Sequence, residues 1–162
     1  HNTVYTGGTS SNKKDLINKD LKIIKTNRGG KYTVHSPGQK VVYFVLNLNN
    51  RKKDIRKLIS SIERSIIEFL MIYKIKGRKD KKNIGIWVNK KKIAAIGLRI
   101  SKWIAYHGCS INISNNLHEY LKIAPCGLNN QKITSLYNEK GVTIKNIEKN
   151  LKKIFIKNIN KI

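Results

Sequence analysis

Four short stretches carry residue types able to do chemistry. The first is Ile123-Ala124-Pro125-Cys126-Gly127, a cysteine between a residue that fixes φ and one that accepts conformations others avoid. A bend of that kind holds a thiol outward, within reach of a partner. The thiolate is a strong nucleophile, and a covalent intermediate divides one group transfer into two steps. A single cysteine in a small protein is nevertheless more often a buried apolar residue. The second stretch is Lys92 followed by Ile93-Ala94-Ala95-Ile96-Gly97. Small side chains at 94, 95 and 97 leave room for a ligand against a strand, and an ammonium beside a thiol favours thiolate. Taken alone, Lys92 is one of three consecutive lysines and reads as solvated. The third stretch runs from Arg28-Gly29-Gly30 through His35 to Pro37-Gly38-Gln39. Paired glycines let the backbone approach a ligand closely, with Arg28 and His35 as polar anchors at either end. The spacing is neither a Walker loop nor a dinucleotide fingerprint, and the same residues also suit two ordinary turns. The fourth stretch is His107-Gly108-Cys109-Ser110, whose glycine weakens a strand unless something packs closely there.

A scaffold must bring these stretches together. Residues 3–6 read as a strand running into Gly7-Gly8, residues 13–20 as a short helix capped by Ser11 or Asn12, and residues 21–26 as a second strand. Turns follow at 27–30 and 36–38. Residues 41–48 are apolar and β-branched, which predicts one buried strand. Between 54 and 73, Ile55, Leu58, Ile59, Ile62, Ile66, Phe69, Leu70 and Tyr73 recur at three-and-four spacing, so one helical face is apolar. Arg56, Lys57, Glu63 and Arg64 fall on the other face. A basic loop is expected at 77–83 and a strand at 84–88. A turn at Asn89-Lys90 leads into a strand over 92–100, with a neighbouring strand over 103–113. Asn115 or Asn116 is placed to cap a single helical turn before the Cys126 bend. Residues 143–158 form a final helix with Ile144, Ile147, Leu151, Ile154 and Phe155 on its apolar side. No internal repeat or long linker interrupts the chain. The pattern predicts an α/β (α+β) fold with a mixed β-sheet flanked by helices.

Composition bounds the function. At 162 residues and 40% apolar content the chain forms one domain with a real core. Its apolar runs are far short of a membrane span, and no signal-peptide pattern is present. Two cysteines make neither a disulfide framework nor a four-ligand zinc site, and a reducing compartment suits them. Basic residues number 34 against 9 acidic, a formal charge of +25. Such a surface favours an acidic partner or nucleic acid. Ile, Asn and Lys share AT-rich codons, and the lysines are spread along the chain. Coding bias is therefore the leading cause and docking to acidic partners a secondary benefit. A nucleic-acid-binding domain rests on charge alone, because aromatics are few and no helix-turn-helix, zinc-finger or RNA-recognition signature occurs.

The motifs stand in a telling order: Arg28-Gly29-Gly30, Thr33, His35 and Pro37-Gly38-Gln39; then Lys92 to Gly97 with Arg99; then Tyr106-His107-Gly108 with Asn112; then Pro125-Cys126-Gly127. This order resembles the octanoyltransferases of lipoate biosynthesis, the lipoate–protein ligase B family, over residues 1–136. Val4-Tyr5-Thr6 with Gly8, and Thr134-Ser135-Leu136, are similar to family sequence as well. The resemblance implies the α/β catalytic fold of lipoate ligases and biotin protein ligases. It also implies a single octanoyltransferase-like domain over 1–162, without the N-terminal segment usual in the family. By that resemblance Cys126 is the nucleophile that takes the acyl group as a thioester. Lys92 is the partner that lowers its pKa, acting as a charge or as a neutral base. Arg28, Gly29, Gly30, Lys31, Tyr32, Thr33, Val34 and His35 would line the acyl pocket. Ala95, Ile96 and Gly97 would form part of its wall, with Gly108, Cys109 and Ser110 opposite. Ser36 stands where the family usually has Gly, and Val34 where an aromatic is usual. ATP-dependent lipoate ligases have the lysine but not the cysteine, so Cys126 points to transfer from a carrier protein. The implied donor is octanoyl on the phosphopantetheine of acyl carrier protein. The implied acceptors are lysines on lipoyl domains of 2-oxoacid dehydrogenase complexes and on glycine cleavage H protein. No cofactor, metal or membrane is expected. The expected setting is a monomer in a bacterial cytoplasm or a lipoylating organelle. An inactive relative keeping the fold as a scaffold is the remaining alternative, against which the intact Lys92 and Cys126 argue.

Overall fold

The computed structural model describes residues 1–80, 83–123, 133–141 and 145–162. Its strands divide between two sheets among the described residues. In the smaller, β1 (Val4–Gly7) lies between β2 (Ile23–Lys25), which is parallel to it, and β3 (Tyr32–His35), which is antiparallel. The larger is antiparallel and is built from β4 (Gln39–Tyr43), β6 (Arg78–Lys79), β7 (Ile86–Val88), β8 (Lys91–Ser101) and β9 (Ile104–Asn112) in the order β4-β9-β8-β7-β6. A short β5 (Leu46–Asn47) pairs with β9 beyond β4.

Helix α1 (Ile55–Ile72) starts where its sequence says it should. The Asp54 carboxylate accepts the Lys57 N–H at 2.9 Å, satisfying one of the donors that a helix start leaves open. Leu58, Ile62, Ile66, Phe69 and Leu70 are fully buried against β7, β8 and β9. Helix α3 (Ile147–Ile159) joins the same core through Leu151, Phe155 and Ile159. A buried polar pin ties the two helices, Asn158 Nδ2 donating to Ser65 Oγ at 3.2 Å. A second apolar cluster of Tyr5, Tyr32, Val34, Tyr120 and Ile123 sits under the smaller sheet.

The mixed α/β (α+β) architecture agrees with the sequence reading, and several elements differ in detail. Residues 41–48 form two strands rather than one. The ladder with β9 breaks at Phe44 and Val45, opposite His107, whose φ of 67° takes that strand out of extended conformation. Arg78–Lys79, read as loop, is an edge strand on β7. Backbone pairing needs no apolar pattern, and charged side chains suit an edge. Lys79 reaches back to Glu63 at 2.9 Å, so Glu63 is buried rather than on the exposed face. Residues 13–20 yield only a 3-10 turn, Lys13–Asp15, capped by Asn12. A five-residue helix α2 (Leu136–Lys140), capped by Ser135, was not expected. Of the expected final helix, 143–144 lie outside the described residues. The turn at Asn89-Lys90 is as expected, with φ of 47° and 65° linking β7 to β8. Asn116 caps the 3-10 helix Leu117–Lys122.

Candidate active site

Strands β8 and β9 put opposite character on their two faces. The cross-strand pair Ile96–Cys109 packs into the helix-side core. The flanking pairs Ala95–Ser110 and Gly97–Gly108 therefore face the other way, because side chains alternate along a strand. These four small residues floor a cavity of about 460 Å³ between the two sheets. Val4 and Thr6 of β1, Thr33 and His35 of β3, the loop 28–31 and His107 are among its other lining residues.

The glycine loop is tied to both sheets. Gly29 N–H donates to the Leu98 carbonyl at 2.9 Å, and Thr9 N–H to the Arg28 carbonyl at 2.9 Å. The Arg28 guanidinium donates to the Thr6 carbonyl and hydroxyl at 3.1 and 2.9 Å and to the Gly29 carbonyl at 3.0 Å. Its stem lies over Gly97, where a Cβ would come within 3.2 Å of Arg28 Cδ. Gly108 is obligatory for a similar reason: a methyl there would lie 1.8 Å from the Val42 carbonyl oxygen of β4. Close packing explains the glycine in this strand.

Three histidines border the cavity: His1, His35 and His107. Burial lowers the pKa of His35, as does the positive charge of Arg28 and the N-terminus, while the hydrogen bond to Gln39 opposes them. Burial and Arg28 lower His107 as well. Both favour the neutral imidazole. Burial pushes the Cys109 thiol from 9.0 up to about 12, so that sulfur is chemically quiet. Tyr5 donates to Glu119, and Lys122 reaches the same carboxylate at 2.9 Å. The Tyr5 hydrogen bond, then that of Lys122, holds Glu119 below the usual carboxylate range and pins Leu117–Lys122 to β1.

Of the residues expected to form the pocket, Arg28, Gly29, Gly30, Lys31, Tyr32, Thr33, His35, Ala95, Ile96, Gly97, Gly108, Cys109 and Ser110 border this one cavity. Val34 does not. Its side chain is fully buried in the second apolar cluster, because alternation along β3 sends it away from Thr33 and His35. Ile96 and Cys109 send their side chains into the helix-side core, as does Ala94, which had been expected to leave space for a ligand. Ser36 is also buried.

Lys92 is buried at 6% exposure, not solvated, although Lys90 and Lys91 beside it are exposed. Its stem covers Gly85, where a Cβ would come within 2.6 Å of Lys92 Cε, and its ammonium lies 5.7 Å from the Trp87 ring centroid. It is not among the residues lining the cavity. Cys126, with Pro125 and Gly127, lies outside the described residues. Both ends of its segment are anchored, however. Ile123 is fully buried and bridges to Leu16. Ile133 bridges to Lys92, and Thr134 N–H donates to the Lys92 carbonyl at 2.9 Å. Ile133 and Thr134, which follow the Cys126 segment in sequence, thus lie alongside Lys92. Among the described residues no group of three His, Cys, Asp or Glu is placed to hold a metal ion.

The sequence reading missed Gln39 and Tyr120 as site residues and gave Asn112 no role. Together they form a buried polar cluster behind His35. Gln39 and Asn112 were present in the motifs, but only contacts across 73 and 81 residues reveal what they join.

Known proteins share this chain and this fold. An octanoyltransferase of Bartonella tribocorum is 43% identical over 152 residues, covering 85% of this chain and 62% of that protein. One from Rickettsia canadensis is 47% identical over 152 residues, covering 89% and 72%. The chain thus spans less than two thirds of the first of these relatives. Among solved structures, a bipartite lipoate protein ligase with its E2 lipoyl domain from Thermoplasma acidophilum has a TM-score of 0.77 at 13% identity, covering 99% of this chain and 69% of that one. Biotin protein ligase from Aquifex aeolicus has a TM-score of 0.61 at 21% identity, covering 76% and 54%. At such identities the two structures speak for the fold. The family profile of the lipoyl protein ligase A/B catalytic domain matches residues 1–156. On that match and those identities, the chain belongs to the lipoyl protein ligase A/B catalytic domain family.

Proposed function

We propose that this chain is the catalytic domain of an octanoyltransferase. Cys126 takes octanoyl from the phosphopantetheine thiol of acyl carrier protein as a thioester. The group then passes to a lysine of a lipoyl domain, such as those of 2-oxoacid dehydrogenase complexes or glycine cleavage H protein. The observation that carries this reading is 43% and 47% identity to octanoyltransferases over most of the chain. The cavity supports it. Its 460 Å³ falls within the range of about 300–1,000 Å³ usual for small-molecule sites, and its floor is small side chains. Each methylene of an acyl chain buried there contributes about 0.8 kcal/mol. A thioester carries its acyl group already activated, so neither exchange requires ATP or a cofactor. Lys92 stabilises the Cys126 thiolate, supported by its position alongside Ile133 and Thr134. The charge of +25 supports docking of acidic protein domains. Among the described residues no helix is long and apolar enough to cross a membrane. The reading takes the enzyme to work as a monomer in a bacterial cytoplasm.

Intact-mass spectrometry after incubation with octanoyl carrier protein tests the reading. One octanoyl group should add to the wild-type protein and none to Cys126→Ser. An adduct that persists in Cys126→Ser refutes the thioester assignment. No adduct, together with a salt-sensitive shift of random DNA, would favour the nucleic-acid reading of the charge.

A further inference from the structure

His35 borders the cavity and meets a buried amide through its Nδ1. Its Nδ1 lies 2.7 Å from Gln39 Oε1. Two backbone carbonyls decide which of these atoms carries the proton. Gln39 Nε2 lies 3.3 Å from the Val34 carbonyl oxygen, 3.0 Å from Asn112 Oδ1 and 3.0 Å from the Tyr120 hydroxyl. A carbonyl only accepts, so the amino end of Gln39 faces Val34 and its oxygen faces His35. Asn112 is oriented in the same way. Its Nδ2 donates to the Thr134 carbonyl at 3.0 Å, which leaves Oδ1 to accept from Gln39, from the Tyr120 hydroxyl at 3.1 Å and from Asn115 Nδ2 at 3.3 Å. Both amides are buried, and turning either one would set oxygens against each other without water to relieve them. Hydrogen-bond donation therefore runs one way, from the imidazole through Gln39 and Asn112 to the Thr134 carbonyl. An amide oxygen cannot donate, so the hydrogen sits on His35 Nδ1.

We propose that this relay holds His35 as the Nδ1–H imidazole, and that its Nε2 accepts the proton released when the acceptor lysine attacks the acyl thioester. In that step a C–N bond forms and the C–S bond breaks. The sulfur leaves as thiolate, and the proton shed by nitrogen passes to Nε2. The charged and titratable groups around the ring are consistent with a neutral base. The His1 ring lies 5.8 Å away and is itself hydrogen-bonded to Tyr43, and Arg28 and the N-terminus add positive charge. The relay also joins the cavity to both anchors of the Cys126 segment, through Tyr120 before it and Thr134 after it. The role in transfer rests on the octanoyltransferase reading, whereas the tautomer does not.

Nitrogen-15 spectra of histidine-labelled protein at neutral pH read the tautomer directly. His35 should show a protonated Nδ1 and a bare Nε2, opposite to the Nε2–H form that an unconstrained imidazole favours. Gln39→Ala should return it to that form. An Nε2–H ring or an imidazolium in the wild-type protein overturns the relay and the role with it, whether or not the variant folds. Single-turnover mass spectrometry then separates the two half-reactions. In His35→Gln, transfer from the octanoyl-enzyme to a lipoyl domain should slow roughly a hundredfold, and by much more than octanoylation of Cys126 slows. Equal slowing of both halves overturns the proton-acceptor role and leaves His35 shaping the cavity. If the wild-type protein takes no octanoyl group at all, the octanoyltransferase reading and the catalytic role fall, and the spectra still decide the relay.

Discussion

Cys109 should resist alkylation in the folded protein and react once the chain is unfolded. Its side chain pairs with Ile96 on the helix-side face and is 4% exposed. Burial raises its pKa from 9.0 to about 12. Thiolate is the reactive form and falls tenfold per unit, so at mildly alkaline pH the shift lowers reactivity about a thousandfold before access is considered. The assay is a time course with iodoacetamide in buffer and in urea, followed by digestion and quantification of the Cys109 peptide. The same shift has a signed consequence for stability. Below pH 9 the thiol is neutral in both folded and unfolded chains and contributes no pH dependence. Between 9 and about 12 the unfolded chain loses the proton and the folded one keeps it, so stability falls, by about 4 kcal/mol over the whole interval. Cys109→Ala should flatten that part of the profile. Native labelling of Cys109 within tenfold of the unfolded rate would show its sulfur facing the cavity and refute the face assignment.

Gly108→Ala should cost at least about 3 kcal/mol, read as a lowered urea midpoint, because its methyl would meet the Val42 carbonyl. Lys92→Ala should move the pH profile of Cys126 alkylation upward. Lys92→Arg should keep the low thiol pKa while losing transfer if the lysine acts as a base. A wild-type profile in Lys92→Ala would pass the role to Lys90 or Lys91. Raising salt should increase the apparent KM for carrier protein and change the reaction with a small octanoyl thioester little; equal effects would leave coding bias as the whole cause of the charge.

Local pattern determined a good part of this protein. Helix α1 was legible from its apolar spacing because a helix face repeats every few residues. The Asn89-Lys90 turn was legible from its turn residues, and the cap expected at Asn115 or Asn116, which is Asn116, because a capping side chain answers to neighbouring backbone. The motifs that mark the family were likewise local. Tertiary structure decided the rest. Lys92 looked solvated among lysines, yet in the fold its stem covers Gly85, its ammonium lies near Trp87 and its backbone bridges to Ile133. Glu63 sat on a charged face until Lys79 closed over it. Val34 and Cys109 belonged to pocket motifs, yet pleating turned their side chains toward apolar clusters. The polarity of the His35–Gln39–Asn112 chain is set by carbonyls at 34 and 134, which meet only after the sheets pack. Periodicity and turn chemistry act over a few residues, whereas burial and hydrogen-bond direction depend on partners that the chain brings together only by folding.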